Sequence, residues 1–267
     1  MDYSVPGYLT PFIVPGMIAI VAAVLFGLNR GLGGSISPEK QWHQKKRTQA
    51  FWIMAALLIG WFVVAFATSL LGFYRPPAGS PPTIQWGLLI PIVAGVLLFL
   101  IWPPLRRTLA IIPNTWLVGV QIYRILGVIF LVLYAGGHLP GLFALPAGIV
   151  DVLVGVLAPV VATAYARSPE RAALRVRLWN LLGITDLVVA LALGFATSPS
   201  PFQLAAFDHP NVLVGMFPLV LIPVFAVPLS ILLHMASLQK LRQDQLSGYR
   251  REEKKQIGAS AQQIIGA

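Results

Sequence analysis

The sequence predicts an all-α polytopic integral membrane protein with seven transmembrane helices, and three observations support this fold class. Of the 267 residues, 57% are hydrophobic and only 10% are charged, and the mean hydropathy is +0.78. The chain therefore lacks the polar surface that a soluble globule needs. Seven windows reach the roughly 20 apolar residues that a spanning helix requires. Almost all basic residues fall between these windows rather than within them.

Tryptophans near the ends of the seven windows support their boundaries, because indoles prefer the membrane interface. The first window follows no basic n-region and precedes no small-residue cleavage site, so it is predicted to be a retained span. Residues 1–238 are predicted to form one membrane domain, and residues 239–267 a basic cytoplasmic tail. The predicted spans are about 9–28, 50–73, 86–103, 114–135, 146–166, 178–196 and 213–236.

The distribution of basic residues predicts the orientation. All but two of the 19 Lys and Arg residues lie in the tail or in the connections after spans one, three and five. The exceptions are Arg75, in the connection after span two, and Arg124, inside span four. By the positive-inside rule, the N-terminus is predicted outside and the C-terminus in the cytoplasm, with the protein in the inner (plasma) membrane.

Three ionisable residues fall inside the predicted spans. Arg124 lies in span four, whereas Asp151 and Asp186 occupy the same position in the similar segments GIVDVLVGVLA and GITDLVVALAL of spans five and six. A charge inside the bilayer costs about 3 kcal/mol or more, so such residues face a bundle interior and pair with one another. Gln121 lies one turn from Arg124 on the same helical face. These four residues are predicted to form a binding or proton-relay site.

The predicted depths of the three charges differ. At ~1.5 Å per residue, Arg124 lies about 18 Å from the outer end of its span, Asp186 about 15 Å and Asp151 about 7 Å. Arg124 and Asp186 are therefore predicted to be the closer pair, and one carboxylate is expected to lack the arginine and to titrate. Asn180 and Thr185 are secondary candidates that would extend the network by hydrogen bonds.

The same residues fit two functions. In a carrier for a small molecule or for protons, Arg124 would bind an anionic group and a carboxylate would take up a proton. In a non-catalytic membrane subunit, sensor or lipid-binding module, the charges would form a buried ion-pair network that fixes helix register. A membrane enzyme acting on lipid is the least favoured alternative.

The expected partners follow from composition and topology. The lipid bilayer surrounds the spans, and a small molecule or proton is the expected substrate. The more uniformly apolar spans one to three offer a surface for a membrane protein partner or a homo-oligomer. No nucleic acid is predicted, because the basic residues form short clusters between apolar runs rather than one continuous face.

Polar residues elsewhere give weaker signals. His138, Asp208 and His209 in the outer connections are secondary candidates, but their spacing matches no metal-ligand pattern, so no metal is predicted. Ser230 and His234 share a helical face without a third orienting group, and His234 is interpreted as an interfacial histidine. Every lysine lies outside the spans, which excludes a retinal Schiff base. Without a P-loop, HExxH or paired-acid motif, no catalytic residue or cofactor is predicted.

Span seven contains three prolines at five-residue intervals, Pro218, Pro223 and Pro228, in the run FPLVLIPVFAVPLS. Each proline removes a backbone donor and crowds the preceding turn. The helix is therefore predicted to be kinked or locally unwound.

The run QIYRILGVIF…GHLPGLFALPAGIVDVLVGVLAPVVA resembles bacterial multi-pass membrane proteins of unassigned function. In those proteins a QxxRxxG helix precedes an LPxxFAxPAGxxD connection and helix. The similarity covers about residues 117–162. It implies a bacterial protein in which Gln121, Arg124, Pro146, Gly148 and Asp151 belong to one pattern, and it implies no activity, fold name or ligand.

Overall fold

The computed structural model describes residues 4–33, 44–75 and 80–265. Trp42, one of the tryptophans near a predicted span end, lies outside these residues. The α-helices are α1 (Leu9–Gly33), α2 (Gln44–Leu70), α3 (Ile84–Ile101), α4 (Pro103–Ile111), α5 (Asn114–Gly119), α6 (Val128–Ala135), α7 (Gly141–Arg167), α8 (Pro169–Thr197) and α9 (Val227–Ile265). Shorter elements are a 3-10 helix at Val120–Gly127, a 3-10 turn at Leu213–Gly215 and a π-helix at Ile222–Ala226.

Seven helical segments of the described chain are long and apolar enough to cross a membrane. This result confirms the all-α class and the number of predicted spans. The segments are Leu9–Leu32, Thr48–Leu70, Ile84–Ile101, Asn114–Ala135, Gly141–Arg167, Pro169–Thr197 and Ile222–Leu246.

Successive spans run in opposite directions, so the connections gather at two ends of the bundle. We call one the basic end; it comprises residues 102–113, 167–177 and 238–244 and includes Arg106, Arg107 and Lys240. The opposite end comprises residues 71–75, 80–83, 136–140 and 198–212, where the described charged residues are Arg75 and Asp208.

Span seven lies at the centre of the bundle. The final span is 72% buried over its most apolar window, whereas the corresponding windows of α2 and α3 are only 17% and 6% buried. The largest core cluster joins α1 to α6, α7 and the segment before α9, with Leu133, Ala144, Leu219 and Phe225 among its most deeply buried members. Spans two and three therefore lie at the periphery of the bundle and expose most of their apolar surface.

Span four is not a continuous α-helix. The 3-10 helix Val120–Gly127 separates α5 from α6, and side chains three residues apart stack above one another in this geometry. Gln121, Arg124 and Gly127 consequently form one row, and all three are buried. A regular α-helix would turn these positions progressively apart, so the 3-10 stretch directs the polar row at α7 and the neighbouring helices.

Span seven is interrupted where its prolines predict. Residues 217–220 form turns, the π-helix covers Ile222–Ala226, and regular α-helix starts only at Val227. The Phe217–Pro218 peptide bond is cis. The predicted start of this span at residue 213 is wrong, because Pro218 and Pro223 lack the N–H groups that would continue a helix through this segment.

Glycines allow α7 to approach span four closely. A Cβ atom built at Gly155 would lie only 2.6 Å from the backbone nitrogen of Ile125. A backbone atom cannot move aside as the end of a flexible side chain could. Gly148 is also close to the span-four backbone, since its Cβ would lie 3.3 Å from the carbonyl oxygen of Gly127. Small residues thus bring two membrane helices into backbone contact.

We predict that Gly155→Ala destabilises the protein by about 1–3 kcal/mol, because the added methyl group displaces the 3-10 segment. Thermal unfolding in detergent measures the effect. Gly119→Ala is the matched control in the same pair of helices, because its Cβ would lie at an ordinary 3.6 Å from the Cβ of Ala162. Equal stability of the two variants would contradict the close approach at Gly155.

Candidate functional site

Arg124 lies between the two intramembrane aspartates and binds both. Its Nε donates to Asp151 Oδ1 at 2.5 Å, and its Nη2 donates to Asp186 Oδ2. The Nη1 group donates to the carbonyl oxygen of Gly183 at 3.3 Å and contacts His234 Nε2 at 3.1 Å. The arginine side chain is 1% exposed. The expectation that one carboxylate lacks the arginine is therefore wrong.

The helix boundaries explain why both aspartates reach Arg124. Helix α7 begins at Gly141, five residues before the predicted start of span five. Asp151 is thus about 15 Å from the opposite end of its helix, at ~1.5 Å per residue, rather than about 7 Å. Asp186 and Arg124 each lie eleven residues from that end of their spans, at Thr197 and Ala135. All three charges occupy nearly the same level.

The cluster of Arg124, Asp151 and Asp186 carries one more negative than positive charge when both carboxylates are ionised. In the described chain, neither carboxylate forms an ion pair with any other cation. Asp186 is nearly enclosed, whereas the side chain of Asp151 is 15% exposed. Binding one proton would neutralise the cluster, and an unbalanced charge is costly in a medium of low dielectric constant.

A chain of buried polar side chains connects Arg124 to the basic end. His234 Nδ1 lies 2.9 Å from Asn180 Oδ1, and Asn180 Nδ2 donates to Ser237 Oγ at 3.0 Å. Ser237 Oγ in turn donates to Asn114 Oδ1 at 2.7 Å. Each member of this chain is at most 2% exposed. The network therefore spans four helices, α5, α8, α9 and the 3-10 segment.

The hydrogen bonds define the protonation of His234. Asn180 uses its amide nitrogen to donate to Val176 O at 2.8 Å and to Ser237, which leaves its Oδ1 as an acceptor. His234 Nδ1 must therefore carry a proton and donate to this oxygen. The Nε2 atom accepts from Arg124, so the ring is neutral. Asn180 thus fixes the tautomer that can bind the guanidinium.

Two glycines provide the space for this cluster. A Cβ at Gly183 would lie 2.3 Å from His234 Nε2 and 2.8 Å from Arg124 Nη1. A Cβ at Gly127 would lie 2.2 Å from Asp151 Oδ2. The guanidinium, the imidazole and one carboxylate consequently pack directly on helix backbone, where no side chain larger than hydrogen fits.

Two cavities adjoin the carboxylates. A cavity of about 70 Å³ extends from the opposite end to both Asp151 and Asp186, between α3, α6, α7, α8 and the π-helix. Its wall is mostly apolar, and Phe130 and Phe143 contribute to it. A second cavity of about 30 Å³ reaches Arg124 and Asp151 from the side of α1. Since one water needs roughly 10–15 Å³ by this kind of measure, the larger cavity has room for several water molecules.

The structure separates the remaining predicted residues into two groups. Asn180 belongs to the buried network, but Thr185 is exposed on α8. Gln121 is fully buried, yet neither polar atom of its amide has a hydrogen-bond partner among the described residues. The expected hydrogen bond from Gln121 into the network is therefore not formed.

The histidines and the aspartate of the connections do not form a cluster. His138 lies just after α6, whereas Asp208 and His209 lie in the connection between α8 and the 3-10 turn. Within the described ranges, no three His, Asp or Glu side chains are grouped so that they would hold a metal ion.

Sequence reasoning missed His234, Ser237 and Asn114. His234 is fully buried and central rather than interfacial. Ser230, His234 and Ser237 follow a spacing of four and then three residues, which places them along one face of a helix. This stripe of polar residues along one helical face was the sequence signal that could have indicated a buried polar network. Ser230 does not pair with His234; its Oγ donates to Ala226 O at 2.8 Å and lies 2.7 Å from the hydroxyl of Tyr123.

Residues 81–242 match the model of a family described as a domain of unknown function, DUF8737. This segment is more than half of the 267-residue chain. The protein belongs to the DUF8737 family. The DUF8737 segment contains every member of the Arg124 cluster and of the polar chain, whereas α1 and α2 precede it. No curated protein and no solved structure matches the chain.

We predict that Arg124→Gln lowers the free energy of unfolding by about 3–5 kcal/mol, because it leaves two buried carboxylates without their cation. Adding Asp186→Asn should recover part of this loss, since only one carboxylate then remains unpaired. Denaturant unfolding in detergent micelles measures both variants.

Arg177→Gln serves as the control, because Arg177 is exposed and makes a single hydrogen bond of 3.3 Å to Gln245. It should change stability by less than about 1 kcal/mol. If the double variant lost as much stability as the sum of the losses in Arg124→Gln and in Asp186→Asn alone, Arg124 and Asp186 would not be energetically coupled.

Proposed function

We propose that the protein is a proton-coupled membrane carrier in which Asp151 and Asp186 share the proton-binding site. The observation that carries this proposal is that the two carboxylates bind a single guanidinium next to a cavity. With both carboxylates ionised the cluster has one uncompensated negative charge, and one proton balances it. Such intramembrane carboxylates are characteristic of proton relays.

The proposed role of Arg124 is to hold the two carboxylates together. Four N–H groups of its guanidinium are directed at protein atoms in Asp151, Asp186, Gly183 and His234. Only one of its five N–H groups is left for a substrate. An anionic substrate group that accepts two hydrogen bonds from Arg124, as the sequence led us to expect, would have to displace one of these partners, so we assign substrate coupling to the carboxylates instead.

Access supports the same proposal. The larger cavity reaches both carboxylates from the opposite end, and the second cavity reaches Asp151 from the side of α1. Asp151 therefore borders both spaces. The interrupted helices on either side of the cluster, the 3-10 segment of span four and the π-helix of span seven, are the elements that we propose change conformation during transport.

Location and orientation are part of the proposal. The basic end faces the cytoplasm of a bacterial inner membrane, because the described cations concentrate there and the positive-inside rule relates such a bias to topology. The larger cavity then opens towards the outside. The carried molecule is small, because the cavity of about 70 Å³ holds only a few water-sized groups.

Proton flux into proteoliposomes under an imposed potential tests the proposal. We expect the unmodified protein to raise the flux above that of protein-free liposomes. Asp186→Asn should return the flux to that background, because the cluster then needs no proton for neutrality. Asp208→Asn is the matched control, since it removes an exposed carboxylate in a connection, and its flux should equal that of the unmodified protein.

Correct folding of the variants is verified by their elution from size-exclusion chromatography and by their thermal unfolding. Unchanged flux in a folded Asp186→Asn variant would contradict the role of this residue. An unmodified protein with no flux above background would contradict proton movement through the cluster in the absence of a carried molecule.

A second candidate function is that of a non-catalytic membrane subunit. It is favoured because four of the five N–H groups of the Arg124 guanidinium are directed at atoms of its own chain. A fixed structural network requires the same arrangement. Spans two and three expose large apolar residues, including Trp52, Leu70, Trp86 and Ile101, and would be the surface for a protein partner or a second copy. Stable co-purification with such a partner, together with absent proton flux, would favour this function.

A further inference from the structure

A third cavity lies at the basic end and is separate from the cavities at Arg124. It measures about 150 Å³ and is bordered by α1, α2, α4, α5 and α9, with Leu28, Met54, Leu109, Trp116 and Leu233 among its lining residues. It shares no lining residue with the two cavities at the carboxylates. An apolar cavity of this volume accommodates benzene, that is, about six carbon atoms.

Helix α4 forms one wall of this cavity and is amphipathic. Leu105, Thr108 and Leu109 border the cavity, while Arg106 and Arg107 are exposed. The helix begins directly after Trp102, where the extended backbone ends α3. A short helix with apolar residues inward and arginines outward has the character of a helix at the membrane interface.

Two contacts hold further cations beside this wall. Lys240 Nζ donates to the carbonyl oxygen of Ala110 at 2.6 Å, which ties the last turn of α4 to α9. The guanidinium of Arg30 lies 5.2 Å from the ring centre of Phe26, and this ring packs 6.0 Å from that of Trp116. Trp116 lines the cavity. Lys240 also pairs with Asp244 at 3.2 Å, so the positive charge beside this apolar space comes from Arg106 and Arg107 on α4 and from Arg30 on α1.

We propose that this cavity is a binding site for an anionic phospholipid. About six carbon atoms of one acyl chain occupy the apolar cavity while the rest of the lipid lies outside it, and the phosphate of the headgroup binds Arg106 and Arg107, with Arg30 on the far side. The apolar wall explains why the ligand is a lipid rather than a soluble anion. The cations explain why an anionic headgroup is preferred over a zwitterionic one. This proposal does not depend on the proton site.

Native mass spectrometry of the full chain, released from detergent micelles, tests the site with three probes. The probes are phosphatidylglycerol, phosphatidylcholine with the same acyl chains, and inorganic phosphate. We expect phosphatidylglycerol to bind in preference to phosphatidylcholine, and inorganic phosphate not to displace it.

Charge removal separates the headgroup contribution. The double variant Arg106→Gln and Arg107→Gln should weaken phosphatidylglycerol binding about tenfold or more, since each cation near a membrane surface contributes about 1 kcal/mol. Phosphatidylcholine binding should stay unchanged. The matched control is Arg171→Gln and Arg175→Gln, which removes two exposed charges of α8 at the same end and should leave both lipids unaffected.

Filling the cavity separates the acyl-chain contribution. Val24→Phe should weaken both lipids alike, because its side chain lines the cavity. Leu109→Phe, on the α4 wall, provides a second variant should the first fail to fold. Equal binding of the two lipids, equal effects of the α4 and α8 charge variants, displacement by inorganic phosphate, or full binding to a folded cavity-filled variant would each overturn the proposal.

Discussion

The need to neutralise charge away from water dominates the structure. Arg124 could not remain in the middle of an apolar bundle without anionic partners, because an unpaired charge there costs several kcal/mol. Helices α7 and α8 each supply one carboxylate, and both bind the same guanidinium. This arrangement fixes the relative register of three spans at one level. It also leaves one negative charge without a counter-charge when both carboxylates are ionised. We propose that this cluster, which joins the three spans, is also the one that binds a proton.

The neighbouring backbone is adapted to these charges. The 3-10 helix Val120–Gly127 aligns Arg124 with Gly127, and Gly127 and Gly183 leave room for Asp151, His234 and the guanidinium. His234 accepts a hydrogen bond from Arg124 only as the Nδ1-protonated tautomer, and Asn180 selects this tautomer. Ser237 and Asn114 then carry the hydrogen-bonded chain to the basic end. A change in the charge of the cluster therefore acts on side chains from four helical elements.

Hydropathy and charge were sufficient to predict the seven spans and the intramembrane cluster, because these depend on composition along the chain. The depth of Asp151 in the bundle was less predictable. In the sequence, the apolar stretch before Pro146 resembles a connection, but it belongs to α7 and places Asp151 at the level of Arg124. The burial of His234 depends on α5 and α8. The spacing of residues within one helix gives no information about packing between helices, so the sequence predicts an interfacial position for this histidine. Gln121 shows the converse, since its helical face was predicted correctly but its amide has no hydrogen-bond partner among the described residues.

Infrared spectroscopy of the carboxyl groups across a pH titration tests the central claim most directly. A cluster with two carboxylates and one guanidinium should contribute one carboxylic acid band at low pH in addition to those of the other seven Asp and Glu residues, and this band should disappear as the pH rises and the proton leaves. Either Asp151→Asn or Asp186→Asn should remove the band, because a single carboxylate paired with Arg124 stays ionised. Two carboxylates that remain ionised throughout the titration, or a band that survives both substitutions, would contradict the account.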